Sequence, residues 1–165
     1  MAKSGFSLIE LMIVVALIGL LITMTVTNFS YFNRAVLTQE IDKLYAAILF
    51  TQNVATVTNS PQSMVFDKSK NAYLFNGRIE KLAKPLEFGF IPLAKGPPSS
   101  PQHDINNPIT FKNDTIEFSP QGIISAGTIY LVDKDKTSMY ALSSSISQVS
   151  FLRKYRYDKK WGLIH

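Results

Sequence analysis

The spacing of apolar residues along this chain changes twice. From residue 11 to residue 33 there is no charged side chain, and the apolar run is broken only by Gly19 before Thr23. A helix of that length, rising ~1.5 Å per residue, is enough to cross the ~30 Å hydrocarbon core of a bilayer. Past it, Leu37, Ile41, Leu44, Ile48 and Ala55 recur at helical spacing, with Tyr45 and Leu49 on the flank. Arg34, Glu40, Asp42 and Lys43 are read onto the other faces, which makes this stretch an amphipathic continuation of the same helix. No proline occurs before Pro61, and Asn59-Ser60-Pro61 closes the pattern. The expectation is one helix of roughly fifty residues, about 80 Å long. Residues 6–27 form its transmembrane half and residues 28–59 its amphipathic half.

After Pro61 the period drops towards two. Short strands are expected at 63–66 and 72–75, and Asn76-Gly77 is a hairpin signal leading into 78–80. A strand at 87–91 is bracketed by Pro85 and Pro92. Four of the eight prolines fall between 97 and 108, so 95–108 reads as an irregular or polyproline-like surface segment. It is either a partner-binding excursion or a long connection between strand groups. Strands resume at 109–111 and 115–118, split by a turn at Asn113-Asp114. The run 127–132 is apolar on both faces and reads as a central strand. Residues 137–142 follow, and a last strand from 146 to about 157 places Val149, Phe151, Tyr155 and Tyr157 on one face. A long helix followed only by strands is an α+β chain, with 61–165 as its β-rich globular domain.

Composition narrows this picture. The net charge of +5 favours anionic partners such as nucleic acid or acidic surfaces. There is no cysteine, so the globular domain depends on its core and has no thiolate site for zinc. No phosphate-cradling glycine loop, zinc-type histidine pair or Gly-x-Ser-x-Gly elbow occurs. His103 and His165 read as solvated surface histidines. The alternating Asp133-Lys134-Asp135-Lys136 is a hairpin turn rather than a calcium cage, because interleaved lysines oppose a cation. The chain is read as a non-enzyme with no metal and no cofactor.

The N-terminus adds specific chemistry. Lys3-Ser4-Gly5 precedes Phe6-Ser7-Leu8-Ile9-Glu10, and the apolar run comes after the small residues, the reverse of a secretory signal peptide. Glu10 is a lone carboxylate at the edge of the apolar segment, where an ionisable group is costly without a partner. This arrangement resembles the leader of type IV pilins and type II secretion pseudopilins. The resemblance implies residues 1–5 as a prepilin leader, cleaved between Gly5 and Phe6 by a prepilin peptidase that then methylates the Phe6 amine. It also implies an assembly role for Glu10, pairing in the filament with the charged amine of Phe6 on a neighbour or on itself. An uncleaved signal anchor with Lys3 inside explains neither Glu10 nor the register of Gly5-Phe6. Thr27 stands where major pilins commonly carry a helix-kinking proline, which suits a minor subunit.

A second resemblance lies in the run 116–122, Ile-Glu-Phe-Ser-Pro-Gln-Gly, followed by Gly127-Thr128-Ile129-Tyr130-Leu131. It is similar to the C-terminal pattern of minor pseudopilins and pilins of the GspH/FimT type. That implies a pilin-like fold, a helix with two antiparallel sheets packed together, and a place in the complex that initiates or tips a filament. The implied partners are other pilins or pseudopilins, the peptidase, the inner-membrane assembly platform and lipid. The implied location is the bacterial inner membrane, single-pass, N-terminus cytoplasmic. Type II secretion and a surface pilus remain open as the parent system.

A DNA-uptake pilus is the alternative from another class, motivated by Arg153, Lys154, Arg156, Lys159 and Lys160 interleaved with aromatics. That mixture suits phosphate contact and base stacking. The competing account makes the last strand an exposed edge whose charges block pairing with other sheets.

Overall fold

The computed structural model describes residues 7–27, 29–145 and 151–164, with the side chains of 24–34 outside that description. The chain divides into two compact units, residues 1–34 and 35–165. In the first, α1 spans Leu8–Thr27. Its described apolar side chains, from Leu8 to Ile22, are largely exposed. Among the described residues no helix is long and apolar enough to cross a membrane. The span read over 11–33 runs past the described side chains of α1, which end at Thr23. A second helix, α2, spans Phe29–Val57, and residue 28, between the two, lies outside the described residues.

In the second unit the helical spacing of α2 becomes packing. Leu37, Ile41, Leu44, Ile48 and Ala55 are all buried, each Leu or Ile contributing about 1.5–3 kcal/mol relative to exposure. Glu40 departs from its outward assignment and is only 5% exposed. The reason is its position three residues after Leu37 and four before Leu44, which places it within the apolar stripe. At the C-terminal end Asn59 takes the left-handed conformation, and the Ser60 amide bonds the Ala55 carbonyl at 3.1 Å. Pro61 comes next and ends the helix.

Two larger antiparallel sheets form most of the rest of the unit. The strands β1 (Gln62–Asp67), β2 (Ala72–Phe75), β3 (Arg78–Lys81) and β7 (Thr115–Phe118) form a four-stranded sheet in the order β3-β2-β1-β7. Asn76 and Gly77 both have positive φ, as the hairpin between β2 and β3 requires. The strands β4 (Leu86–Phe88), β8 (Gly127–Asp133), β9 (Met139–Ser144), β10 (Leu152–Asp158) and β11 (Lys160–Ile164) form a five-stranded sheet. Its order is β11-β10-β9-β8-β4. One core joins the α2 stripe to Met64, Phe66 and Ile116 of the first sheet and to Ile129, Leu131 and Leu142 of the second. The architecture is α+β.

The strand at 127–132 is central and buried on both faces, as its apolar pattern requires. Its second face, carrying Tyr130 and Val132, packs with Met139, Ala141 and Tyr155 under Ala94 and Ile105. The proline-rich segment is therefore the cover of a sheet. It is not wholly irregular, since β5 (Lys95–Gly96) pairs with β6 (His103–Asp104). Gly96 is needed here because a Cβ would collide with the Tyr130 hydroxyl. Burial of that hydroxyl pushes the Tyr130 pKa up to about 12.

Several strand expectations change. The strand at 87–91 is β4 and ends at Phe88, because Pro92 and the chain beyond it turn over the sheet. Residues 109–111 make only an isolated bridge, Ile109 to Ile129, before the short helical turn Lys112–Asp114. The last expected strand, 146–157, is β10 from Leu152 onward, while 146–150, with Val149, lie outside the described residues. Phe151 is exposed rather than on the packed face with Tyr155. The edge-strand account fails for Arg153, Lys154 and Arg156, while Lys160 does stand on an edge strand. The chain reverses at Lys159, whose φ is positive, and β11 takes the edge while β10 pairs on both sides.

Candidate functional site

Gly5 and Phe6 lie outside the described residues, and the site becomes visible at Ser7. Ser7 precedes the first turn of α1, and its hydroxyl accepts from the Glu10 amide at 3.3 Å. In return the Ser7 amide donates to the Glu10 carboxylate at 3.3 Å. This reciprocal pair is a capping box, which satisfies two donors that a helix start leaves open. Glu10 also places negative charge at the positive end of the helix dipole. The carboxylate read as lacking a partner in a lone subunit has one within its own first turn. The Ser-x-x-Glu spacing was the available signal for it.

Beyond Glu10 the helix surface is uniform. Leu8, Ile9, Leu11, Met12, Ile13, Val14, and onward to Ile22, offer an apolar surface with no charged side chain except Glu10 itself. Residues 1–26 match the family model of the prokaryotic N-terminal methylation motif. The N-terminus is a pilin-type methylation motif. It supports a type IV pilin-like or pseudopilin-like protein, and it implies processing by a prepilin peptidase and assembly with other pilins. No curated protein and no solved structure matches the chain. The motif takes in most of α1, whereas the β-rich unit has no matched relative.

At the other end of the chain the five basic residues are divided. Alternation along β10 places Arg153 on the side of Tyr155 and Tyr157, and Lys154 and Arg156 on the side of Leu152. Lys154 is turned towards α2, bonding Asp42 at 2.8 Å and lying 5.2 Å from the centre of the Tyr45 ring. Lys159 and Lys160 lie in and after the β10–β11 turn and line a separate cleft with Tyr157 and Trp161. Spacing in the sequence groups the five, but it shows neither Asp42 nor Lys95, the third lysine of that cleft, as their neighbour. Both are remote in the chain.

The remaining candidates lie in the second unit. Asp133 is buried, and its carboxylate accepts from the Thr137 and Ser138 amides at 2.7 and 3.0 Å, closing the β8–β9 hairpin. His103 is exposed in β6 and His165 lies outside the described residues. Among the described residues no cluster of His, Cys, Asp and Glu has the arrangement of a metal site. Glu40 Oε1 and the Tyr73 hydroxyl are buried without a hydrogen-bond partner. Burial, and then the charges of Glu40 and Glu80, push the Tyr73 pKa well above its ordinary value.

Proposed function

We propose that this chain is a minor pseudopilin or minor pilin of the GspH/FimT type, a non-catalytic structural subunit in the initiating or tip complex of a filament. The observation that carries the reading is the methylation motif over residues 1–26, which runs into a helix whose described side chains are apolar and exposed. The subunit is held in the inner membrane by α1, N-terminus inside, with the β-rich unit on the far side. Cleavage after Gly5 frees the Phe6 amine, and methylation keeps it charged. On assembly, Glu10 meets that amine in a low-dielectric setting, where attraction between opposite charges far exceeds that in water. The filament of a type II secretion system, supporting protein export, is the assembly favoured.

The test is intact-mass analysis of the full chain purified from cells with and without a prepilin peptidase. The expected product lacks residues 1–5 and carries one methyl group on Phe6. A chain that keeps its leader beside an active peptidase, or one cut after the apolar run, overturns the proposal. The DNA-uptake alternative has less support, because Lys154 is committed to Asp42 and Tyr45 and the five basic residues do not share a face.

A further inference from the structure

A cleft of about 290 Å³ opens where the proline-rich cover meets the β10–β11 turn. Tyr157 and Trp161 form its aromatic floor, Leu93 and Pro101 add apolar surface, and Lys95, Lys159 and Lys160 are its polar groups. No Asp or Glu lines it. The floor is held rigid, since the Trp161 indole donates to the Lys95 carbonyl at 2.6 Å and packs against Tyr130, Tyr155 and Tyr157. Among the described residues none of the three lysines forms an ion pair, unlike Lys43, Lys68, Lys70 and Lys154. Asp104 stands across the β5–β6 ladder from Lys95 without pairing with it.

Leu93 is the telling residue. Pro92 and Leu93 are the central pair of a turn closed by the Ala94 amide on the Ile91 carbonyl at 3.1 Å. Leu93 has a φ of 66°, the conformation that a type II turn demands at this place and that glycine adopts without strain. The chain instead has a bulky leucine there, and its side chain is 89% exposed. Leu93 belongs to neither hydrophobic core of the unit. A strained, solvent-facing apolar knob beside a rigid aromatic floor and unpaired lysines has the anatomy of a protein-docking centre, an apolar anchor site inside a charged rim.

We propose that this cleft docks an acidic segment of a partner protein, an apolar side chain entering between Leu93 and Trp161 and flanking carboxylates meeting Lys95, Lys159 and Lys160. Single-stranded nucleic acid is the poorer fit. Base stacking needs open ring faces, whereas Trp161 meets Tyr157 and Tyr155 at 62° and 82° and the prominent rim residue is aliphatic. The inference stands apart from the filament reading, because it rests on none of the residues of the N-terminal motif.

The experiment uses the full chain in detergent micelles and fluorescence anisotropy with three probes. These are a peptide with a Leu-Phe pair between runs of Asp, the same peptide with Ser-Gly replacing the pair, and an oligothymidylate of equal charge. The first probe is expected to bind at least about tenfold more tightly than the other two. Replacing all three lysines, as Lys95→Glu, Lys159→Glu and Lys160→Glu, is expected to remove that binding. Leu93→Gly is expected to weaken it several-fold while the melting temperature holds or rises, a split that a purely structural role for Leu93 does not give. Equal binding of the Ser-Gly peptide, tighter binding of the oligothymidylate, no binding of the first peptide, or full binding by either variant overturns the proposal.

Discussion

Asp67 shows how a single turn residue carries a pH dependence. Its carboxylate accepts from the Ser69 hydroxyl at 2.6 Å and from the Ser69 and Lys70 amides at 3.1 Å each, and it pairs with the Lys70 ammonium at 3.0 Å. The Ser69 and Lys70 side chains, then the Lys70 amide, lower its pKa from 3.8 to about 2. A carboxylate depressed in the folded state adds stability above its unfolded pKa and loses it as the pH falls through the folded one. The β1–β2 turn is therefore expected to loosen between about pH 4 and pH 2. Carboxyl chemical shifts followed by NMR check this, with a midpoint near 2 expected for Asp67. A midpoint at the unfolded value of 3.8 would falsify the linkage. The sequence separated the strands at 63–66 and 72–75, whereas the depth of the shift depends on the Ser69 hydroxyl and the Lys70 ammonium both folding back on the carboxylate.

At the scale of the element, α2 contrasts a residue that fits its stripe with one that does not. Leu44 is fully buried in the shared core, and Leu44→Ala removes its contacts and leaves a cavity, for a loss of about 2–5 kcal/mol. Glu40 is buried in the same stripe with one oxygen unbonded and Lys43 at 3.9 Å. A buried carboxylate without full compensation is costly, and an apolar side chain of similar size removes that cost, while Lys43 is half-exposed and keeps Glu80 at 3.0 Å as its partner. Glu40→Met is therefore expected to leave the stability within about 1 kcal/mol of the parent or to raise it. Chemical denaturation of both variants measures the contrast, and a loss for Glu40→Met as large as that for Leu44→Ala would sink the argument. The apolar spacing of α2 was readable in advance. The inward place of Glu40 was not, because reading charge as exposure overrode a position that the spacing itself assigned to the stripe.

For the whole molecule, the proposed assembly turns on Glu10 exchanging partners. In one subunit its carboxylate closes the capping box with Ser7. In the filament it is proposed to meet the Phe6 amine. Glu10→Leu is expected to leave leader cleavage and membrane insertion intact, since the apolar run only lengthens, and to reduce incorporation into the filament. Crosslinking to the partner subunits in membranes reads this out. Ser7→Ala separates the two roles, because it loses only the helix cap, about 1 kcal/mol, and keeps the carboxylate. Equal crosslinking of the parent and the Glu10→Leu variant counts against Glu10 as an assembly group.

What the sequence determined by itself were the features written in near neighbours. These are the N-terminal methylation motif, the helical stripe of α2, the Asn76-Gly77 hairpin and the doubly apolar strand that became β8. Each depends on residues a few positions apart, where periodicity and backbone preference act directly. The tertiary structure alone decided which strand became the edge. A reversal at Lys159, a residue with no turn preference, added β11 and moved β10 to the interior. It also decided that the proline-rich segment covers the second face of a sheet, and that Lys95 joins Trp161 while Lys154 leaves for Asp42. Those choices depend on contacts between groups as far as 112 positions apart. They are settled by which apolar faces must be covered, a condition that exists only once both sheets and α2 have come together.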